Sequence, residues 1–255
     1  FLLVETNYIE KIRNIETIAW TTITFGILLY VSDQFKLEKN ATVFDLLKVI
    51  TKPSNILNKI TIVEGWSKLQ LNNELEKHFS EFKEIPYESI IADTYFFNNN
   101  IKFDTFLQNL KNFKKSYFLK HLNNEKIILF SYEQLMIIGS LIEKEGLDKL
   151  DKKKIASVIF NRLEKKMKLQ IDATVLYSIT EGQYDLKRKL LLKDLKVDHK
   201  YNTYKIKGLP PKPISYVGKQ TLDVIFENYK SDFLFYFFNK SLKRHIFSET
   251  YDEHI

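Results

Sequence analysis

Two glutamates stand two positions apart, Glu143 and Glu145, at the end of a segment in which Leu135, Met136, Ile137, Ile138, Leu141 and Ile142 are apolar around most of a helix circumference. At about 100° per residue, Glu143 falls almost directly under Met136 and beside Gly139, on a face the pattern buries. Burial disfavours a carboxylate's charge, and Gly146 ends the helix shortly after, so the negative end of the helix dipole acts in the same direction. A carboxyl that keeps its proton near neutrality is what a general acid needs. Periodicity alone leaves a plainer reading open, a helix-end glutamate satisfied by Lys144 or by an arginine from another segment. Glu145 lies roughly 200° further round the axis, so this helix does not present two carboxylates side by side.

Other polar residues share short segments with apolar neighbours. In Leu169-Gln170-Ile171-Asp172 a strand period of two separates Leu169 and Ile171 from Gln170 and Asp172. The same rule in Tyr201-Asn202-Thr203-Tyr204 sets Tyr201 and Thr203 against Asn202 and Tyr204, ahead of a rigid turn at Gly208-Leu209-Pro210-Pro211. Aromatic rings with amides and hydroxyls suit sugars, although either segment equally reads as an ordinary half-buried strand. Arg162 lies on the apolar stripe of the next helix, aligned with Ile155, Val158 and Ile159, where its simplest partner is a buried carboxylate.

Several chemistries find no footing. The chain has no cysteine, which excludes disulfides, thiolate nucleophiles and Cys-ligated zinc. His245 and His254 are nine apart, outside any standard zinc spacing, and no metal site is expected. No GxGxxG, Walker loop or Gly-x-Ser-x-Gly elbow occurs. The formal charge of +7 is dispersed along Lys-rich helices such as Lys111, Lys114 and Lys115 or Lys152, Lys153 and Lys154, which reads as solvated surface, and no nucleic-acid partner is expected.

The elements that must hold these residues follow from capping and periodicity. With 255 residues, 44% hydrophobic, 20 Phe and 14 Tyr, the chain can bury a sizeable core in two lobes. Ile18 to Val31 is too short and too rich in threonine for a membrane helix and reads as a buried strand. Helices are predicted over Val43 to Ile50, capped by Thr42, and over Leu69 to Phe82, capped by Ser67, with a strand run at Ile60 to Val63 and a turn at Glu64-Gly65. Between Asp104 and Leu119, Phe106, Leu110, Phe113 and Tyr117 form one buried stripe. Ser131-Tyr132-Glu133-Gln134 has capping-box spacing and starts the helix that carries the glutamates.

In its second half the sequence resembles the YceG-like (MltG) family of endolytic transglycosylases. The matching strings are Leu141-Ile142-Glu143-Lys144-Glu145, Ile155 to Leu163, Leu169 to Val175, Tyr201 to Tyr204, Gly208 to Ile214, and His245-Ile246-Phe247-Ser248 with His254. Val63-Glu64-Gly65-Trp66 and Ala92-Asp93-Thr94-Tyr95 extend the match upstream, and Ala173 and Val217 depart from the family's prolines. The resemblance implies an α+β fold, with a small LysM-like α/β lobe over residues 1–83 and a larger catalytic lobe over 84–255 that holds a glycan-binding groove. It places the catalytic acid on Glu143, the first glutamate of the Glu-Lys-Glu motif. One carboxyl would protonate the oxygen leaving the MurNAc anomeric carbon, then accept the proton of that sugar's own C6 hydroxyl, closing a 1,6-anhydro ring.

Glu145, Gln170, Asp172, Tyr201, Asn202, Thr203 and Tyr204 are the residues implied to orient the sugars. No cofactor is implied. The partners implied are peptidoglycan glycan strands, peptidoglycan synthases and the inner membrane, reached through an upstream single-pass helix, with the catalytic region on the extracytoplasmic side. A non-catalytic wall-binding module and a hydrolytic muramidase are the competing readings.

Overall fold

The structure is a computed structural model and describes residues 18–21, 28–31, 41–50 and 57–254. It is α+β, with small two-stranded sheets among helices. The chain divides into two compact units, Phe1–Ile60 with Thr94–Phe106, and Thr61–Asp93 with Leu107–Ile255. This division is interleaved because β3 (Leu57–Thr61) pairs with β4 (Thr94–Asn98), across an intervening stretch that belongs to the other unit.

In the first unit, the apolar stretch predicted as one strand contains two. β1 (Ile18–Thr21) and β2 (Leu28–Val31) form an antiparallel pair with Ile18 opposite Val31, while Thr22 and Thr24 lie outside the described residues. Helix α1 (Val43–Ile50) starts where predicted, with the Thr42 hydroxyl accepting from the Asp45 amide at 3.3 Å and the Asp45 carboxylate accepting from the Thr42 amide at 3.0 Å.

The second unit opens on the turn at Gly65 (φ +75°) and on α2 (Lys68–Leu75), which begins with a Ser67–Gln70 capping box. α2 stops earlier than predicted: the amides of His78 and Phe79 both turn back onto the Leu75 carbonyl, which buries Phe79 without a further helical turn. α3 (Phe103–Leu119), which enters this unit at Leu107, buries Phe106, Leu110, Tyr117 and Phe118, but Phe113, expected in the stripe, is 36% exposed. α4 (Glu125–Leu129) leads into α5 (Tyr132–Glu145), whose Ser131–Gln134 capping box forms as predicted.

α5 is the central helix. Leu135 to Ile142 are all buried, packed against α6 (Lys149–Glu164) and α8 (Lys219–Phe226). Burying each Leu or Ile contributes about 1.5–3 kcal/mol, and this concentration fixes the axis on which the glutamates ride. Gly139 lets Val217 approach so closely that an added Cβ would sit 2.6 Å from its Cγ1. The segment 214–218 is also tied in by the Ile214 amide to Ser140 Oγ (3.1 Å), the Gly65 amide to the Tyr216 carbonyl (2.8 Å) and a parallel bridge between Ala92 and Gly218. α7 (Asp172–Thr180) follows a loop, and the chain closes with the antiparallel hairpin β5 (Phe235–Asn239) and β6 (Arg244–Ser248), then a short helix α9 (Tyr251–His254).

Candidate active site

The end of α5 sends its two glutamates in different directions, as the helical angle requires. Glu143 turns inward: its side chain is 3% exposed, Oε2 lies 2.6 Å from Lys152 Nζ, and Oε1 accepts from the Gly218 amide at 3.0 Å. Lys152 also donates to Thr221 Oγ1 at 2.8 Å. Lys152 is therefore no solvated surface lysine; at 11% side-chain exposure it joins α6 to the ends of α5 and α8. The glutamate expected as the acid, Glu143, thus meets the Lys152 amine and the Gly218 amide, and it does not line the cavity described next.

Glu145 does line it. An open cavity of about 350 Å³ holds Glu145 beside Gln170, Asp172, Tyr204, Tyr236 and Arg162. Phe237, Phe238, His245 and His254 complete the wall from the hairpin side. The Glu145 carboxyl is pushed above the usual range by burial and then by the negative charge of Asp172; the Ala173 amide, His245 and the Tyr236 hydroxyl oppose this. Burial drives the Tyr236 hydroxyl far above its ordinary value, followed by the charge of Glu145, so it remains a donor. Tyr204 likewise keeps its proton, through burial and its 2.6 Å bond to Asp172 Oδ1. The site thus sets a carboxyl raised by burial beside a second carboxyl that accepts from a phenol.

Gln170 and Asp172 occupy a loop and the first turn of α7 rather than a strand. The alternation still holds, with Leu169 and Ile171 buried beneath. Gln170 adopts φ +53°, a left-handed conformation that a non-glycine residue takes only when its surroundings impose it. Arg162 is that surrounding, and it meets carbonyls rather than the buried carboxylate expected for it. Nη1 donates to the Lys168 and Leu169 carbonyls (3.1 and 2.7 Å) and to Gln170 Oε1 (3.2 Å), while Nε donates to the Leu234 carbonyl (2.6 Å).

The Tyr201–Tyr204 segment is a turn, and only Tyr204 reaches the cavity. Asn202 is fully buried, donating to the Leu195 and Val197 carbonyls at 3.1 and 2.7 Å. Thr203 Oγ1 accepts from the Ile171 amide at 2.9 Å and meets Thr174 Oγ1 at 2.8 Å. Tyr201 packs against Tyr177 and His199. These three shape the loop through these contacts. Sequence reasoning missed Tyr236, Phe237 and Phe238; two aromatic-rich runs around Asn239 to Lys243 are the hairpin signal that could have found them. Among the described residues no group of His, Asp or Glu is arranged to hold a metal.

The sequence profile described as the YceG-like family matches residues 10–255. The chain belongs to the YceG-like family. Among curated relatives, an endolytic murein transglycosylase of Bacillus subtilis (strain 168) is 45% identical over 124 residues, 49% of this chain and 33% of the relative. The protein of that same description from Streptococcus pneumoniae serotype 2 is 26% identical over 249 residues, covering 79% and 45%. This YceG-like chain therefore spans less than half the length of either relative. A crystal structure of a yceG-like protein from Listeria monocytogenes superposes with a TM-score of 0.65 at 28% identity, covering 77% of this chain and 74% of that one.

Proposed function

We propose that this YceG-like chain is the cutting portion of an endolytic murein transglycosylase, a lyase that breaks the MurNAc–GlcNAc bond of peptidoglycan glycan strands without water, with Glu145 as the acid. The observation that carries the reading is the Glu145 carboxyl, raised by burial and by Asp172 inside an open cavity lined with polar and aromatic side chains. The names of the relatives supply the substrate class. Glu145 donates its proton to the oxygen leaving the anomeric carbon, and the sugar's own C6 hydroxyl attacks that carbon, already tethered at the right distance. Asp172, held by Tyr204, opposes the positive charge that develops on the sugar ring. Gln170 and the exposed faces of Phe237 and Phe238 (41% and 45%) bind neighbouring sugars.

The finer parts of the proposal follow from the substrate. The catalytic region faces the extracytoplasmic side of the inner membrane, near the synthases that extend glycan, and cutting there limits strand length. Single-pass anchoring belongs to the same proposal; no helix among the described residues is long and apolar enough to cross a membrane.

Purified, uncross-linked glycan strands digested by the protein test the reading. Intramolecular attack leaves 1,6-anhydroMurNAc ends, one water lighter per cut than the reducing ends of a hydrolase, and mass spectrometry separates the two. Reducing MurNAc ends would assign the pair Glu145 and Asp172 to hydrolysis instead. Binding without cutting would make the chain a wall-binding module.

A further inference from the structure

One buried ionisable pair, of which His245 lies in the cavity wall and Asp151 behind it, takes no part in the steps above. Asp151, in the first turn of α6, accepts from the Leu147 amide at 3.0 Å and meets His245 Nδ1 at 2.8 Å, both through Oδ2. The two side chains are 10% and 6% exposed. A carboxylate can only accept, so Nδ1 carries the hydrogen, and a ring with one proton then has its lone pair on Nε2. Edge-on contacts fix the ring plane: Tyr236 and Phe238 at 5.5 and 5.4 Å between centroids, and Phe247 at 6.2 Å. His245 lines the same cavity as Glu145. A rigid imidazole, oriented through one nitrogen by a buried carboxylate and facing a hydroxyl-binding cavity with the other, is built to take a proton from a hydroxyl.

We propose that His245, oriented by Asp151, is the base that removes the proton from the attacking hydroxyl, while Glu145 serves as the acid alone. The inference rests on the transglycosylase reading and refines it. In the step, the Glu145 O–H proton passes to the glycosidic oxygen, which departs with the electron pair of the broken C1–O bond. O6 forms the new C1–O6 bond as its proton passes to Nε2. The imidazolium is held as an ion pair with Asp151, the Glu145 carboxylate remains, and return of the Nε2 proton from His245 to Glu145, directly or through water, restores the starting state. No atom of water enters the product.

The test uses initial rates on purified glycan strands for the parent, Glu145→Gln, His245→Gln, His245→Ala and Asp151→Asn, each normalised to folded protein by circular dichroism. His245→Gln should lower kcat by roughly 10²–10⁴-fold with KM little changed. Asp151→Asn should lower kcat less, and added imidazole should restore part of the activity of His245→Ala. Full kcat in His245→Gln, with Glu145→Gln inactive, overturns the base assignment and leaves the transglycosylase reading intact. A loss that tracks the folded fraction, with no response of His245→Ala to imidazole, also overturns it, because a merely structural pair behaves that way. Failure of the parent itself to cut glycan would instead defeat the underlying reading.

Discussion

Exchanging each glutamate of the Glu-Lys-Glu motif for glutamine should separate stability from turnover. Glu143→Gln keeps an oxygen for the Gly218 amide but leaves the Lys152 ammonium, at 11% side-chain exposure, with Thr221 Oγ1 as its remaining partner among the described residues. Removing one member of a buried ion pair costs about 3–5 kcal/mol. For a domain of this size each kcal/mol lowers Tm by roughly 2–4 °C, so a fall of about 6–20 °C is expected. Turnover, measured well below that melting range, should stay within a few-fold of the parent. Glu145→Gln should do the reverse. It removes a carboxyl whose ionised form is disfavoured by its surroundings, so Tm should hold or rise, while kcat falls by about 10²–10⁴-fold, or roughly 2.7–5.5 kcal/mol of barrier. Thermal melts by circular dichroism and initial rates on purified glycan read the two effects. A Glu143→Gln protein that melts with the parent yet is inactive, beside a Glu145→Gln protein that digests at the parent rate, would refute the assignment of the acid to Glu145.

Lys152→Met should destabilise to a similar extent, about 3–5 kcal/mol, by stranding Glu143, and the double variant with Glu143→Gln should recover part of the loss in a denaturant-midpoint cycle. The raised Glu145 carboxyl links stability to pH: its contribution is fully present below the unfolded carboxyl range and is lost as pH rises through the raised folded value. The Tm advantage of Glu145→Gln over the parent should therefore widen as pH increases through that range, and parent turnover should decline over the same interval; a pH-independent gap in Tm would contradict this. Gly139→Ala should cost about 1–3 kcal/mol in urea unfolding, because its Cβ would meet the stiff Val217 side chain at 2.6 Å.

Local rules carried much of the fold. The Ser67 and Thr42 caps, the Ser131–Gln134 capping box and the buried eight-residue run of α5 were all legible, because each depends on neighbours within one or two turns. The helical angle between Glu143 and Glu145 was legible too. Which face met an ammonium and which met a cavity was not, since Lys152 lies on α6 and Tyr236 and His245 on the distant hairpin. Tyr201 to Tyr204 failed for a related reason. A buried Asn202 satisfied by the Leu195 and Val197 carbonyls gives the same alternation of types as a polar strand face, and only its partners reveal a turn. Arg162 was placed correctly on its stripe, but backbone carbonyls have no signature in a sequence, so its acceptors could not be named.

Those acceptors come from two separate stretches of chain. One guanidinium grips the loop at residues 168–170 and the Leu234 carbonyl at the entrance to β5, and its Cζ lies 5.2 Å from the centroid of the Phe235 ring. The floor loop and the hairpin wall are therefore two jaws of a calliper with a single screw. Their separation is set by the fixed span of a planar, five-donor group, not by the summed softness of many side chains. A polymer can be admitted along the open side, while a bulkier sugar cannot gain room by spreading the jaws without releasing the arginine from one of them.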